Sequence, residues 1–360
     1  MLFIKLSAFY FFYFAAVGVY VMFLPKVLLD IGYSTTDIGI VLALAPLMRF
    51  LTPFLFLKHI KLDQKLFKFI LLLSVISASL FYITINSFYL FMMNNAMLGV
   101  CLSLLLPYIE LIAIKELKNK YGKSRLFGSL GFMLVGLVLA KYLSLPEIAL
   151  HYYLIATIIT AIFAFSLLKY DDISLEANKD DEKFSLLKYW PLWLSLFLMQ
   201  VSFGGFYNFF TIYETSYGIS LEMTSYLWAF GVICEVLIFY YQAPLLQKNL
   251  LFMIQISILI TSIRWFLLYL YPESLTVSFF TQSLHAFSFG LYHSAVILYL
   301  YKLYSNKKLA QQFMLGIAYG LGGFMGALIA GQFYGEYLFL YSSLIALVSY
   351  FSLFYMKNKL

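Results

Sequence analysis

Residues 222–242 read EMTSYLWAFGVICEVLIFYYQ, an apolar run with one carboxylate, Glu235, in its middle. A bilayer span needs about 20 predominantly apolar residues, so the run is a candidate membrane helix. Its flanking charges, Glu222 and Lys248, each stand thirteen residues from Glu235. At about 1.5 Å of rise per helical residue that is roughly 20 Å either way, which puts Glu235 close to the midplane.

Eleven further stretches of this kind surround it, near 6–28, 37–57, 66–84, 88–113, 124–143, 147–168, 190–212, 250–270, 275–300, 309–332 and 337–356. The chain of 360 residues is 63% hydrophobic and 11% charged. Soluble domains carry about 25% charged residues, so this chain cannot clothe one in water. The composition also excludes disorder, collagen-like repeats and, despite a net charge of +7, a nucleic-acid-binding domain. The apolar runs are continuous and do not alternate every second residue, which favours helices over a barrel. The fold class expected is an all-α integral membrane protein with twelve transmembrane helices.

Twelve spans put nineteen lysines on one side of the membrane and only Lys26 and Lys141 on the other. By the positive-inside rule both termini are cytoplasmic, and a bacterial inner membrane is the expected location. The first span runs past Leu24 with no small-residue cleavage site after it, so it reads as an uncleaved helix. Cys101 and Cys234 stand singly in apolar spans and read as packing residues. No metal cluster and no resident cofactor is expected.

The longest polar stretch, KYDDISLEANKDDEKFSLLKY at 169–189, separates six spans from six. It reads as a cytoplasmic linker between an N-terminal bundle, 1–168, and a C-terminal bundle, 190–360. Two such halves around a central cavity are a common transporter plan. Glycines gather in the fifth span (Gly128, Gly131, Gly136) and in the eleventh (Gly316 to Gly331), where small residues let helices approach closely. Static packing and sliding surfaces are both open readings of them.

Only three arginines occur, Arg49, Arg125 and Arg264, each within or at the start of a span. A charge at mid-bilayer costs at least about 2.5–3.5 kcal/mol, so such residues are functional candidates by default. Arg264 lies nine residues from Glu273, His285 twelve, and Arg49 nine from Lys58, so all three are deep. Glu235, Arg264 and His285 occupy consecutive spans, eighth to tenth. Either they form a permanent network, or Glu235 alternates between protonated and paired states and carries protons. Glu110 and Arg125 are shallower, and an interfacial ion pair clamping two helices is open for them. His293, about 80° round the helix from His285, reads as structural. Gln200, Tyr207, Asn208, Tyr213 and Gln282 stand on the seventh and tenth spans, where they can line a cavity.

YGKSRLFGSLGF (121–132), preceded by LPYIE (106–110), resembles a signature of proton-symporting major facilitator transporters. The likeness is greatest to the phenylpropionate-permease branch, near the lactose-permease and nucleoside-symporter groups. SYLWAFGVICEVLIF (225–239), IRWFLL (263–268) and QSLHAFSFGLYHSAVILYL (282–300) resemble that branch's eighth, ninth and tenth helices. The resemblance implies the twelve-helix, two-bundle fold and alternating access. It implies that Glu110 and Arg125 flank the substrate and that Glu235, Arg264 and His285 hold the proton-coupling positions, so that coupling rests on Glu235, with or without Glu110, or is absent. Arg49, from its depth, is a further substrate-binding candidate. One departure is Ser288, where lactose permease has a second tenth-helix carboxylate; the seventh-helix aspartates are also missing.

The leading expectation is a monomeric symporter that imports a small organic solute, aromatic or otherwise carboxylate-bearing, driven by the proton gradient. An exporter of drugs or metabolites is the alternative within transport. An intramembrane enzyme is remote: there is no HExxH, and the GKS at 122–124 has Leu117 where a phosphate loop needs glycine. Channel signals are likewise missing.

Overall fold

The structure is a computed structural model that describes residues 1–58, 63–171 and 185–356, with backbone alone for residues 53–58 and 308. Most of the expected linker therefore lies outside the described residues, as do Lys61, Lys179, Lys183, Lys357 and Lys359 and the side chains of Lys58 and Lys308.

Every regular element among the described residues is helical. Hydrocarbon offers no hydrogen-bond partners, and a helix satisfies its own backbone within one segment. Nine helices among the described residues are long and apolar enough to cross a membrane: Leu2–Asp30, Thr35–Thr52, Gln64–Thr84, Phe88–Tyr142, Pro146–Tyr170, Leu221–Tyr241, Leu250–Leu270, Leu309–Gln332 and Leu338–Tyr355. Phe88–Tyr142 covers two of the expected stretches, separated by the turn Lys118–Lys120. There Lys118 takes φ 46, the one positive φ outside glycine among the described residues. The expected stretches 190–212 and 275–300 are helical but broken. The first is interrupted between Trp190–Ser202 and Gly204–Ser216. The second runs as Leu275–Ser283, a π-helical turn Ala286–Leu291, and Tyr292–Leu303.

The helices gather into two compact units, Met1–Glu176 with Leu221–Ala229, and Ala177–Ser220 with Phe230–Leu360. In the first, Leu2–Gly18 lies against Tyr121–Tyr142 at glycine contact. A Cβ on Gly131 would stand 2.0 Å from the Phe11 carbonyl oxygen. Phe9, Tyr13, Phe67 and Tyr108 belong to its buried core, the last two stacked at 3.9 Å between centroids. Two of the polar side chains inside link helices, as Tyr20 donates to Asn95 Oδ1 (2.9 Å) and Asn95 to the Val41 carbonyl (2.6 Å).

The second unit repeats the device. A Cβ on Gly204 would stand 2.1 Å from the Gly326 carbonyl oxygen, so Gly204–Ser216 and Gly323–Gln332 touch backbone to backbone. Leu250–Leu270 and Leu338–Ser352 are joined by Ser262 and Ser343, whose hydroxyls lie 2.9 Å apart while Ser343 donates to the Ser262 carbonyl. In lipid such small polar residues supply the attachment that apolar surface cannot.

Candidate functional site

Arg264 is fully enclosed in the second unit. Its Nη1 contacts His285 Nδ1 (3.0 Å) and donates to Ser288 Oγ (3.1 Å), and its Nη2 donates to Gln282 Oε1 (3.0 Å). All three partners come from one span at every third position. The guanidinium lies over the Phe206 ring (4.3 Å) and the Trp265 ring (4.5 Å). A guanidinium has donors only, so His285 Nδ1 accepts and the imidazole carries its proton on Nε2. That nitrogen stands 3.5 Å from Glu235 Oε2, with the two side chains 9% and 16% exposed. The buried cation therefore reaches its carboxylate through a neutral imidazole. The order is Arg264, His285, Glu235, and Arg264 has no carboxylate within 4 Å among the described residues. The π-helical turn begins immediately after His285, and such turns often mark functional positions.

In the first unit the reversal at Lys118 brings Glu110 and Arg125 face to face. Arg125 Nε lies 3.5 Å from Glu110 Oε1, with both side chains about a third exposed. Tyr121 donates its hydroxyl to the same oxygen at 3.4 Å. The Arg125 guanidinium sits 3.9 Å over the Phe14 ring and 5.5 Å from that of Tyr10. Gly128 keeps this space open, since a Cβ there would meet Phe14 at 2.7 Å and Arg125 Nη1 at 2.8 Å. Arg49 is exposed and not ion-paired with a described carboxylate.

Several other residues have plain structural places. His293 Nδ1 pairs with the Tyr319 hydroxyl at 2.8 Å and its ring stacks on Phe289. Asn208 donates to the Gly204 carbonyl one turn back, and Tyr213 donates to that of Leu268. Cys101 is buried beside Ile70 and Leu104. No group of metal-ligating side chains occurs among the described residues.

One buried carboxylate escaped the sequence reading. Glu214 is fully enclosed, and its two oxygens take hydrogen bonds from Ser278 Oγ at 3.1 and 3.3 Å. It lies two residues beyond the expected span end, in TIYETSYG. The helix runs on to Ser216 and turns back at Gly218, φ 85. The available signal was spacing: Glu214 follows Phe210 by four residues and Thr211 by three, both buried, and so shares their face.

The profile of the MFS_1 like family matches residues 3–342. The chain belongs to the MFS_1-like family. This MFS_1-like chain is 25% identical over 367 aligned positions to the "Probable 3-phenylpropionic acid transporter" of Escherichia coli (strain K12), covering 95% of the one and 94% of the other. Among solved structures it is similar to the nucleoside transporter NupG (TM-score 0.79, 16% identity, 99% of this chain and 100% of that one). It is also similar to a bacterial homologue of the iron transporter ferroportin in its inward-facing state (TM-score 0.73, 12% identity, 98% of each chain). These structural likenesses show the fold. The protein is a membrane transporter of the MFS type, and its relatives are transporters rather than enzymes.

Proposed function

We propose that this transporter is a proton-coupled symporter that imports a small organic solute bearing a carboxylate, by alternating access of two six-helix bundles, 1–168 and 190–360. The observation that carries the reading is the Arg264–His285–Glu235 chain. A carboxylate clamped directly on arginine would have to break an ion pair to take up a proton. Glu235 instead faces the Nε2–H of a neutral imidazole, so gaining a proton exchanges one hydrogen bond for another while Arg264 keeps its three partners. Intramembrane ionisable residues of this kind mark proton relays in pumps and transporters.

For the substrate, Arg125 beside Glu110, with the Phe14 and Tyr10 rings at its faces, offers a cation and aromatic surface together. That combination suits an aromatic acid, in keeping with the name of the Escherichia coli relative. Arg49 is proposed as a second positive charge for the substrate. In this reading the membrane is a bacterial inner membrane, both termini are cytoplasmic and a monomer does the work. The proton gradient is the energy source, and no resident cofactor takes part.

The test is substrate-driven alkalinisation in vesicles loaded with the purified protein, with 3-phenylpropionate as probe. Glu235→Gln should abolish proton movement while leaving binding of the probe, and Arg125→Ala should abolish binding. Proton movement undiminished in Glu235→Gln overturns the coupling assignment.

A further inference from the structure

We infer that Glu214 is a second proton-binding site of the C-terminal unit, set at the opposite end of a buried polar stripe from Glu235. The inference rests on the symport reading above and extends it to a residue outside that site.

The surroundings of Glu214 are the first argument. Its side chain has no access to the surface, and one hydroxyl, that of Ser278, serves both oxygens. No cation stands within 4 Å among the described residues. Tyr213, the preceding residue on its own helix, spends its hydroxyl on the Leu268 carbonyl, and Tyr217 packs 4.8 Å from Tyr213. An ionised carboxylate offers about four lone-pair sites. Enclosing one with a single neutral donor leaves most of its desolvation cost uncompensated. Binding a proton removes the buried charge: an O–H bond of a hydronium ion breaks as the carboxyl O–H forms, water leaves, and the new O–H is a donor.

Placement is the second argument, independent of the first. Ser278, Gln282 and His285 stand at positions i, i+4 and i+7 of one span and so share a helical face. All three are buried. Ser278 and His285 are about 10 Å apart along the axis at ~1.5 Å per residue. Glu214 meets the stripe at Ser278 and Glu235 meets it at His285. Between them Gln282 gives its oxygen to Arg264, and its Nε2 has no partner among the described residues. Two carboxylates at the ends of one polar stripe can load a proton at one end and release it from the other.

Dicyclohexylcarbodiimide adds to neutral carboxyls in apolar surroundings, and peptide mass spectrometry reads the adduct at each glutamate. In the wild-type protein in proteoliposomes, Glu214 should label at acid pH and lose its labelling as pH rises. Ser278→Ala removes the donor that favours the ionised form, so labelling should persist to higher pH. Labelling at Glu214 that is absent throughout, or equal at every pH, overturns the inference. Glu214→Gln, close to isosteric with the neutral acid, should make uptake independent of pH across the range where wild-type labelling falls. If Glu235→Gln has lost proton movement and Glu214→Gln keeps the wild-type pH profile, the Glu214 assignment alone fails. If Glu235→Gln still moves protons, the symport reading fails first.

Discussion

Each unit sets a glutamate and an arginine on neighbouring helices, and they join them differently. In the first, Arg125 and Glu110 touch at 3.5 Å, about a third exposed. In the second, Arg264 is sealed in and meets Glu235 only across His285. A direct pair holds both charges, whereas a mediated pair leaves the acid free to change its proton while the cation keeps its partners. The two regions should therefore fail differently. Glu235→Gln should cut proton-driven accumulation of the probe by about 100-fold or more, within the range for removing a proton-transferring group. Exchange of labelled for unlabelled probe, which needs no net proton movement, should survive. If Glu110→Gln shows that pattern and Glu235→Gln does not, the contrast is reversed.

Stability sharpens the same comparison. Removing Arg264 strips a donor from each of Gln282, His285 and Ser288 and takes a cation from between Phe206 and Trp265. Breaking a buried charge network of this kind costs about 3–5 kcal/mol, so Arg264→Ala should unfold far earlier on heating in detergent. Arg264→Lys should recover little of the loss, because an ammonium cannot reproduce a planar fork with several partners. A wild-type melting temperature in Arg264→Ala would mean the network carries no structural weight.

Burial cost explains why the spans and the central charges were legible in the chain. Long apolar runs and a midplane glutamate are expensive to misplace, so their positions are narrowly constrained. Glu214 was obscured because a helix end cannot be fixed within two residues from hydropathy, and those two residues separate a loop charge from an enclosed acid. The order Arg264, His285, Glu235 was obscured for another reason. Consecutive spans give proximity, but which side chain sits in the middle depends on helix rotation, and here a π-helical turn follows His285. Arg49 shows the converse, since depth along a helix says nothing of which way the residue faces.

Where backbones touch, the two units are alike, and that likeness can be broken on purpose. Gly131→Ala puts a Cβ 2.0 Å from the Phe11 carbonyl oxygen, and Gly204→Ala one 2.1 Å from that of Gly326. Neither obstacle is a flexible side chain, so each substitution must push a pair of helices apart, at a cost of about 1–3 kcal/mol. Gly122→Ala is the control on the Gly131 helix, with nothing within 4 Å of the added carbon. Thermal unfolding should fall for the first two and hold for the third. A fall in one unit only would show that the seams are not equivalent.

The smallest expected effect on stability is at the Glu110–Arg125 pair. Exposed ion pairs contribute about 0–1 kcal/mol, and this one is about a third exposed with Nε and Oε1 at 3.5 Å. Glu110→Gln should therefore leave the melting temperature nearly unchanged. It should also release Arg125 from its one carboxylate partner among the described residues while leaving it over Phe14 and near Tyr10. An arginine so freed has more to give an incoming carboxylate, so apparent affinity for 3-phenylpropionate should rise or hold, measured as the KM of uptake. Weaker binding in Glu110→Gln would instead mean that the glutamate itself receives a donor from the substrate. The two outcomes separate a site that recognises an acid from one that recognises a hydroxyl or amine.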